Sequence, residues 1–324
     1  MTKAVTKPVK LTQNFTTKSG IPITIGTGTG TKWQWLKKGR PEDQKDTLVT
    51  ELVDQLLLAL QNGYNHIDTA EVYTTHPEVA EAVKKSGIPR EDLFITTKYS
   101  PGFRTFQALS KGPTDFIDTA LKELQTDYVD LFLIHSPFFD EAVSRGQTLE
   151  SSWAEVIEAK KAGKVREIGV SNYAKPHLEK IFKVAGSTEF YPKVNQIEFH
   201  PYLQNQSKDI VKFAQENDIL IEAYGPLTPL FRIKKDGKDV EDHPLKPLLQ
   251  ELSEKYGKTD AQILLRYTLQ KGILPITTST KVERIKQSLE VYEFEITAED
   301  VAKIDEVGAS YPFRQFFDQE YKNL

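Results

Sequence analysis

Two periods of apolar residues alternate along the chain. In "DTLVTELVDQLLLALQNG" apolar side chains fall at 48, 52, 53, 56, 57 and 60, one face of a helix, and Gly63 supplies the stop. "YNHID" follows as a short strand, and "LFITTK" (93–98) is the next. "PTDFIDTALKEL" predicts a helix with Phe116, Ile117, Ala120, Leu121 and Leu124 on one side. "YVDLFLIH" (128–135) is apolar almost throughout its centre, as a parallel strand covered on both faces should be. "TLESSWAEVIEAKKAG" predicts a helix ending at Gly163. "VREIGVSN", "KVNQIEF" and "ILIEAYG" are three further strands, with "AKPHLEKIFKVA" and "SKDIVKFAQEN" as helices between them. "TDAQILLRYTLQKG" opens with a capping box, Thr259 to Gln262, and closes on Gly272. "ILPIT" is a last strand, and "KVERIKQSLE" and "TAEDVAKIDEVG" are final helices.

With residues 23–25 as the first strand, the count reaches eight strand–helix units in 324 residues, which predicts a (β/α)₈ TIM barrel rather than an open sheet. The opening "NFTTKSGIPITI" predicts an N-terminal β-hairpin turning at Ser19–Gly20 and covering the barrel floor. No linker, repeat or low-complexity segment interrupts the chain, so residues 1–324 are expected to form one domain. The one long irregular stretch is "PLTPLFRIKKDGKDVEDHP" (226–244), and loops of that length are usually functional or mobile.

Composition narrows the chemistry. A hydrophobic content of 39% supports a sizeable core, and a net charge of -4 without a basic stripe argues against nucleic acid. The absence of cysteine removes disulfide scaffolds, thiolate metal sites and cysteine nucleophiles. No apolar run approaches the roughly 20 residues that span a bilayer. "MTKAVTKPVK" lacks the apolar segment of a signal peptide, and "EYKNL" is no peroxisomal address, so a cytoplasmic location is expected.

"ITIGTGTGTKW" (23–33) looks like a phosphate-cradling loop, but its glycines do not fit the dinucleotide fingerprint. That motif needs G-x-G-x-x-G and a helix starting at once. Gly26, Gly28 and Gly30 are spaced two apart, and Lys37, Lys38, Gly39, Arg40 and Pro41 are expected to delay the helix to about residue 47. A flexible strand-to-loop bend, or a strand end approached by another backbone or a flat ligand, suits the run better.

In such a barrel, chemistry sits at the C-terminal ends of the strands. There stand Asp68 with Tyr73 five residues on, Lys98, His135, Ser171 with Asn172, Gln196 with His200, and Tyr224. A free tyrosine has a pKa of about 10. A lysine ammonium beside it stabilises the phenolate, and an aspartate offsets the lysine's burial. A neutral histidine orients a substrate oxygen, so the set suits proton donation to a carbonyl. Singly, each residue has a plainer role: Asp68 as a helix cap, Tyr73 as packing, His135 as a satisfied core histidine. A metal site of His66, Asp68, His135 and His200 is the chief chemical rival, although "HID" lacks a second ligand at a clear spacing.

"GYNHIDTAEVY", "ITTKYSP", "DYVDLFLIHSP", "GKVREIGVSN", "VNQIEFHP" and "ILIEAYGPL" come in an order that resembles the aldo-keto reductase family over nearly the whole chain. The resemblance implies an (α/β)₈ barrel and NADPH-dependent reduction of small-molecule carbonyls. It implies Asp68, Tyr73, Lys98 and His135 as a tetrad with Tyr73 as proton donor, Asp68 also bordering the cofactor. Ser171, Asn172 and Gln196 would hold the nicotinamide carboxamide, and Tyr224 would stack on the ring. Gly28 and Thr29 match a family pair beside the nicotinamide, and Gly225, Leu227 and Ser279 would complete the cofactor cradle. Trp33, Tyr99 and Phe138, with C-terminal Phe313 and Phe316, would wall the substrate pocket. No metal is implied, and a monomer or weak homodimer is expected.

The departures matter. Ser136 stands where tryptophan is common, Gly225 where serine is usual, and Ser288 where an adenine-binding asparagine is common. Thr277-Thr278-Ser279 lacks the usual 2′-phosphate lysine, for which Lys281 and Arg284 are the available substitutes. With "IGTGTGTKW", "KYSPG", "HSPFF" and "FHPYLQNQS", these changes resemble the conjugated polyketone and α-keto amide reductase branch, which acts on activated carbonyls such as ketopantoyl lactone and isatins. A general aldehyde or aldose reductase, a metal-dependent barrel hydrolase and a non-catalytic NADPH-binding subunit are the alternatives.

Overall fold

The computed structural model describes residues 9–235, 238–240, 242–322 and 324. Eight parallel strands close into a barrel: β1 Gly26–Gly28, β2 His66–Asp68, β3 Phe94–Tyr99, β4 Val129–Ile134, β5 Val165–Ser171, β6 Val194–Glu198, β7 Leu220–Tyr224 and β8 Leu274–Thr277. β1 pairs with both β2 and β8, so the sheet has no free edge.

The register divides the side chains in two. Ile67, Ile95, Phe132, Ile134, Ile168, Val170, Ile197 and Ile221 point outward into a shell packed by the helices. Phe94, Leu131, Leu133, Val194, Leu220 and Leu274 fill the lower barrel. Above that apolar fill, the inward positions turn polar: Asp68, Thr96, Lys98, Gln196 and Glu222 are all buried. The interior of the barrel is thus apolar at its lower end and carries its inward-facing charges at the upper end.

The first strand is the glycine run itself rather than residues 23–25, because a Cβ at Gly26 would lie 2.4 Å from Ile276 Cδ1. Glycine lets the first and last strands close the barrel here. The expected delay of the following helix is also corrected: Lys32–Lys38 is helical. Trp33 and Lys37 share its buried face, and Lys37 Nζ meets Glu78 Oε1 at 2.8 Å, a partner the local sequence does not reveal. The next helix, Thr50–Gln61, lies where the apolar pattern puts it.

The N-terminal hairpin is reduced to one antiparallel bridge, Thr16 with Pro22, about a turn at Ser19–Gly20. It caps the floor: Phe15 packs 5.8 Å from Phe94, and Arg166 Nη1 donates to the Thr16 carbonyl. The capping box Thr259–Gln262 forms as expected. Within 226–244 the chain makes a short helix, Thr228–Phe231, and pairs Lys234–Lys235 with Lys238–Asp239; residues 236, 237 and 241 lie outside the described part.

Candidate active site

Four elements bring the acid–base set to one mouth. β2 ends on Asp68, and the chain then turns through a single 3₁₀ turn, Glu71–Tyr73, fixed by the Tyr73 N–H donating to the Ala70 carbonyl at 3.1 Å. Tyr73 lies against the loop after β1, since a Cβ at Gly30 would come within 2.8 Å of its ring. Lys98 is the fifth residue of β3, on the inward face. His135 follows β4, tied by its N–H to the Tyr99 carbonyl at 2.8 Å.

Lys98 Nζ donates to Asp68 Oδ1 at 2.6 Å and to the Thr69 carbonyl at 3.0 Å. It lies 5.2 Å from the centre of the Tyr73 ring, whose edge meets His135 at 5.7 Å. Burial pushes the Tyr73 phenol above its ordinary pKa while the Lys98 charge pulls it down, and the net is upward. Tyr73 therefore rests protonated, the state a donor needs. Burial works most strongly against the Lys98 ammonium, but Asp68, Tyr73 and Glu222 together outweigh it and the net shift is upward, so the lysine stays charged. His135 is pushed down to about 3 by burial and by the Lys98 and Lys38 charges, so it stays neutral. A neutral imidazole between a phenol and solvent can donate one hydrogen bond to a substrate oxygen without competing as an acid.

Two further layers were not read from the sequence as site groups. Glu222, in "ILIEAYG", is buried beneath the Lys98–Asp68 pair. Gln196 Nε2 bridges the two carboxylates, 2.8 Å from Asp68 Oδ2 and 2.9 Å from Glu222 Oε2. The period of two from Tyr224 could have flagged Glu222, because both then face inward. The second layer fixes Asn172, which holds φ 63. Its Oδ1 accepts from the Tyr224 hydroxyl at 2.7 Å and Gln206 Nε2 at 2.9 Å, and its Nδ2 donates to the His135 carbonyl at 2.9 Å. Tyr321, from the C-terminal tail, donates to the Asn172 carbonyl. Only the fold brings Gln206 and Tyr321 here.

The sequence-derived cofactor residues stand on or just beyond β1, β5, β6, β7 and β8. Thr29 donates to the Asp68 carbonyl through N–H at 2.9 Å and Oγ1 at 3.2 Å, with Gly28 just before it on β1. Ser171 Oγ donates to the Gln196 carbonyl at 2.8 Å. Gly225 adopts φ 68 beyond β7, followed by the partly buried Leu227. Beyond β8, Ser279 Oγ accepts from the Lys281 N–H at 3.2 Å. Lys281 and Arg284 are exposed. Among the described residues, the buried hydroxyls of Thr228 and Thr278 have no hydrogen-bond partner. Such unsatisfied donors on the loops after β7 and β8 fit the oxygens of a diphosphate. Arg284 lies 6.0 Å from the centre of the exposed Phe231 ring, a pair that the sequence reading missed because 53 residues separate the two. Ser288 turns its hydroxyl back to the Arg284 carbonyl at 2.7 Å.

The proposed substrate walls divide. Trp33 is buried, its Nε1 has no partner among the described residues, and Lys32 Nζ lies 4.1 Å over its ring. Phe138 packs among Phe103, Phe317 and Tyr321, at ring separations of 6.2, 5.4 and 5.8 Å. Phe316 sits edge-on to Tyr224 at 5.6 Å. Tyr99 is corrected: it follows the inward Lys98, so it points outward into the helix shell and does not reach the mouth. Phe313 is corrected likewise, since it packs on the shell side near His200, at 6.4 Å.

His66, Asp68, His135 and His200 do not converge. Among the described residues, no group of three or more histidines or carboxylates could hold a metal. His66 pairs with Thr96 and His200 with Glu198, at 3.2 Å each. Nor is any described helix long and apolar enough to cross a membrane.

A closed α/β barrel with a buried lysine–aspartate pair behind a mouth tyrosine defines a class of oxidoreductases, and comparison agrees. The aldo/keto reductase family profile matches residues 22–309. The chain is 45% identical over 313 residues, 95% of each chain, to an NADPH-dependent alpha-keto amide reductase of Saccharomyces cerevisiae. It is 34% identical to a glyoxal reductase of Bacillus subtilis, over 89% of this chain and 93% of that one. A Bombyx mori aldo-keto reductase solved in complex with NADP superposes with a TM-score of 0.72 at 29% identity, covering 94% of each chain. The chain belongs to the aldo/keto reductase family. It is an oxidoreductase acting on carbonyl groups.

Proposed function

We propose that the protein reduces activated ketones, vicinal dicarbonyls such as isatins and ketopantoyl lactone, with NADPH as the hydride source and Tyr73 as the proton donor. The observation that carries the reading is the Lys98–Asp68 pair at 2.6 Å behind Tyr73, with neutral His135 edge-on to the phenol. NADPH, when bound, supplies the hydride. The names of the yeast relative and the NADP-bound silk-moth neighbour support this cofactor.

His135 offers its ring N–H to the carbonyl oxygen and fixes the carbon beneath it. Tyr73 transfers its proton to that oxygen as negative charge builds there. Lys98 stabilises the phenolate left behind, and Asp68 keeps the ammonium aimed at it. Ser171, Asn172 and Gln196 would hold the nicotinamide amide. The bridge to both carboxylates commits Gln196 Nε2, so Oε1 is its atom available to the cofactor. Thr228 and Thr278 would satisfy diphosphate oxygens, and Lys281 and Arg284 would meet the 2′-phosphate.

The substrate class follows from the walls. A neighbouring carbonyl withdraws density and lowers the charge the site must stabilise. Trp33 and Phe138 present flat apolar surface, with few partners for the hydroxyls of a sugar. The kcat/KM for isatin or ketopantoyl lactone is expected to exceed that for xylose by about 100-fold, or ~2.7 kcal/mol of discrimination. Steady-state NADPH oxidation with each substrate tests this, and comparable turnover of xylose and isatin would reject the substrate class.

A further inference from the structure

Glu222 has no part in the reaction as written so far, yet it is fully buried directly beneath it. Its Oε2 accepts one hydrogen of the Gln196 amide, whose other hydrogen goes to Asp68 Oδ2. Asp68 in turn uses Oδ1 to hold Lys98. The four side chains thus form one chain of contacts, Glu222 to Gln196 to Asp68 to Lys98, ending at Tyr73. Glu222 Oε1 has no partner among the described residues.

We propose that Glu222 is a positioning residue for proton transfer, holding Asp68 in place through the Gln196 amide and so setting the aim and charge environment of Lys98 toward Tyr73. The inference rests on the assignment of Tyr73 as donor.

The charge on Glu222 decides how it acts. Facing it are Asp68 from β2 and Lys98 from β3, and two residues further along β6 from Gln196 lies the buried Glu198, held by His200 and the N–H groups of Gln315 and Phe316. β6 presents the neutral Gln196, and β8 places apolar Leu274 in register with Glu222 itself. Tyr224 follows on its own strand, facing the same way. Lys98 and Asp68 already cancel, so an ionised Glu222 would leave one net negative charge buried beneath the pair. Burial, with Asp68 adding to it, raises the carboxyl to about 8. At neutral pH it is therefore an acid without charge, and the phenolate forming on Tyr73 sees the full Lys98 field. Above that pH, Glu222 ionises and offsets that field, so phenolate formation becomes harder and reduction slows.

The test uses the full chain with NADPH and isatin, and Tyr73→Phe as control. The dependence of kcat on pH is measured for the wild type, Glu222→Gln and Glu222→Leu, with NADPH affinity from fluorescence titration. The neutral isostere Glu222→Gln should keep kcat near pH 6.5 within about two-fold and lose the alkaline decline of the wild type. Glu222→Leu, which removes the acceptor, should lower kcat about ten-fold or more while NADPH affinity stays within about three-fold. An alkaline decline in Glu222→Gln identical to the wild type, or wild-type kcat in Glu222→Leu, overturns the proposal. If Glu222→Leu does not fold, the profile of Glu222→Gln decides alone. An active Tyr73→Phe removes the donor assignment and this inference with it. An inactive Tyr73→Phe beside Glu222 variants that match the wild type removes the inference alone.

Discussion

The barrel buries a carboxylate system at each end, and the two are built differently. At the floor, Asp130 is completely enclosed and saturated. Its Oδ1 takes Arg166 Nη1 at 2.6 Å, and its Oδ2 takes Arg90 Nη2 at 2.7 Å and the Ile95 N–H at 2.9 Å. At the mouth, two carboxylates share one lysine and one amide, and Glu222 Oε1 has no partner among the described residues. Among the described residues, Trp33 Nε1 and the hydroxyls of Thr228 and Thr278 also have no partner. Asp130 has its lone pairs filled by fixed donors, whereas among the described residues Glu222 keeps one oxygen free. Removing groups at the two ends should therefore affect different measurements.

The largest expected effect is at the mouth. Tyr73→Phe deletes the donor hydroxyl and should lower kcat by about 10²–10⁴-fold, with NADPH affinity and melting temperature nearly unchanged. Retention of more than about a tenth of the wild-type rate would show that Tyr73 is not the general acid. The floor should behave in the opposite way. Asp130→Ala leaves Arg90 and Arg166 facing a buried gap and should cost about 3 kcal/mol of stability in chemical denaturation, with kcat per folded molecule unaltered. Lost activity without lost stability would break the contrast.

The outer rim should respond more weakly. Arg284→Ala removes a charged contact expected at the 2′-phosphate, worth about 1.5–3 kcal/mol in such contacts, so NADPH should bind about ten-fold or more weakly. NADH affinity should hardly change, and an equal loss for both cofactors would exclude the assignment. A last effect at the mouth is read by pH. Glu222 keeps its proton in the folded chain up to about 8, whereas the unfolded chain releases it near the ordinary 4.5. Between these values the folded state binds more protons, so stability must fall as pH rises. The melting temperature should drop from pH 5.5 to pH 8.5 less steeply in Glu222→Gln than in the wild type. Parallel curves for the two proteins would mean that Glu222 titrates normally.

The alternation of periods was enough to predict a closed barrel, because each buried parallel strand must be apolar on both faces and each helix on one. It placed Asp68, Lys98 and His135 at strand ends without a structure. The same logic, pressed one residue further, separates Lys98 from Tyr99: neighbours on a strand face opposite ways, so Tyr99 belongs to the shell. The first strand escaped local reading because its glycines are chosen by Ile276, about 250 residues away, not by their own neighbours. The helix Lys32–Lys38 likewise depends on the Lys37–Glu78 pair across 41 positions.

Sequence by itself determined the architecture and the family motifs, and it placed the candidate reacting groups at strand ends, since these follow from periodicity and from residue type. Tertiary structure alone decided how those groups are tuned. The bridge from Gln196 to Asp68 spans 128 positions, and the tail contact of Tyr321 to Asn172 spans 149. The physical reason is that a pKa or a hydrogen-bond direction depends on burial and on distance in space. Periodicity reports which face a side chain takes, but not which charges from distant segments will meet it there.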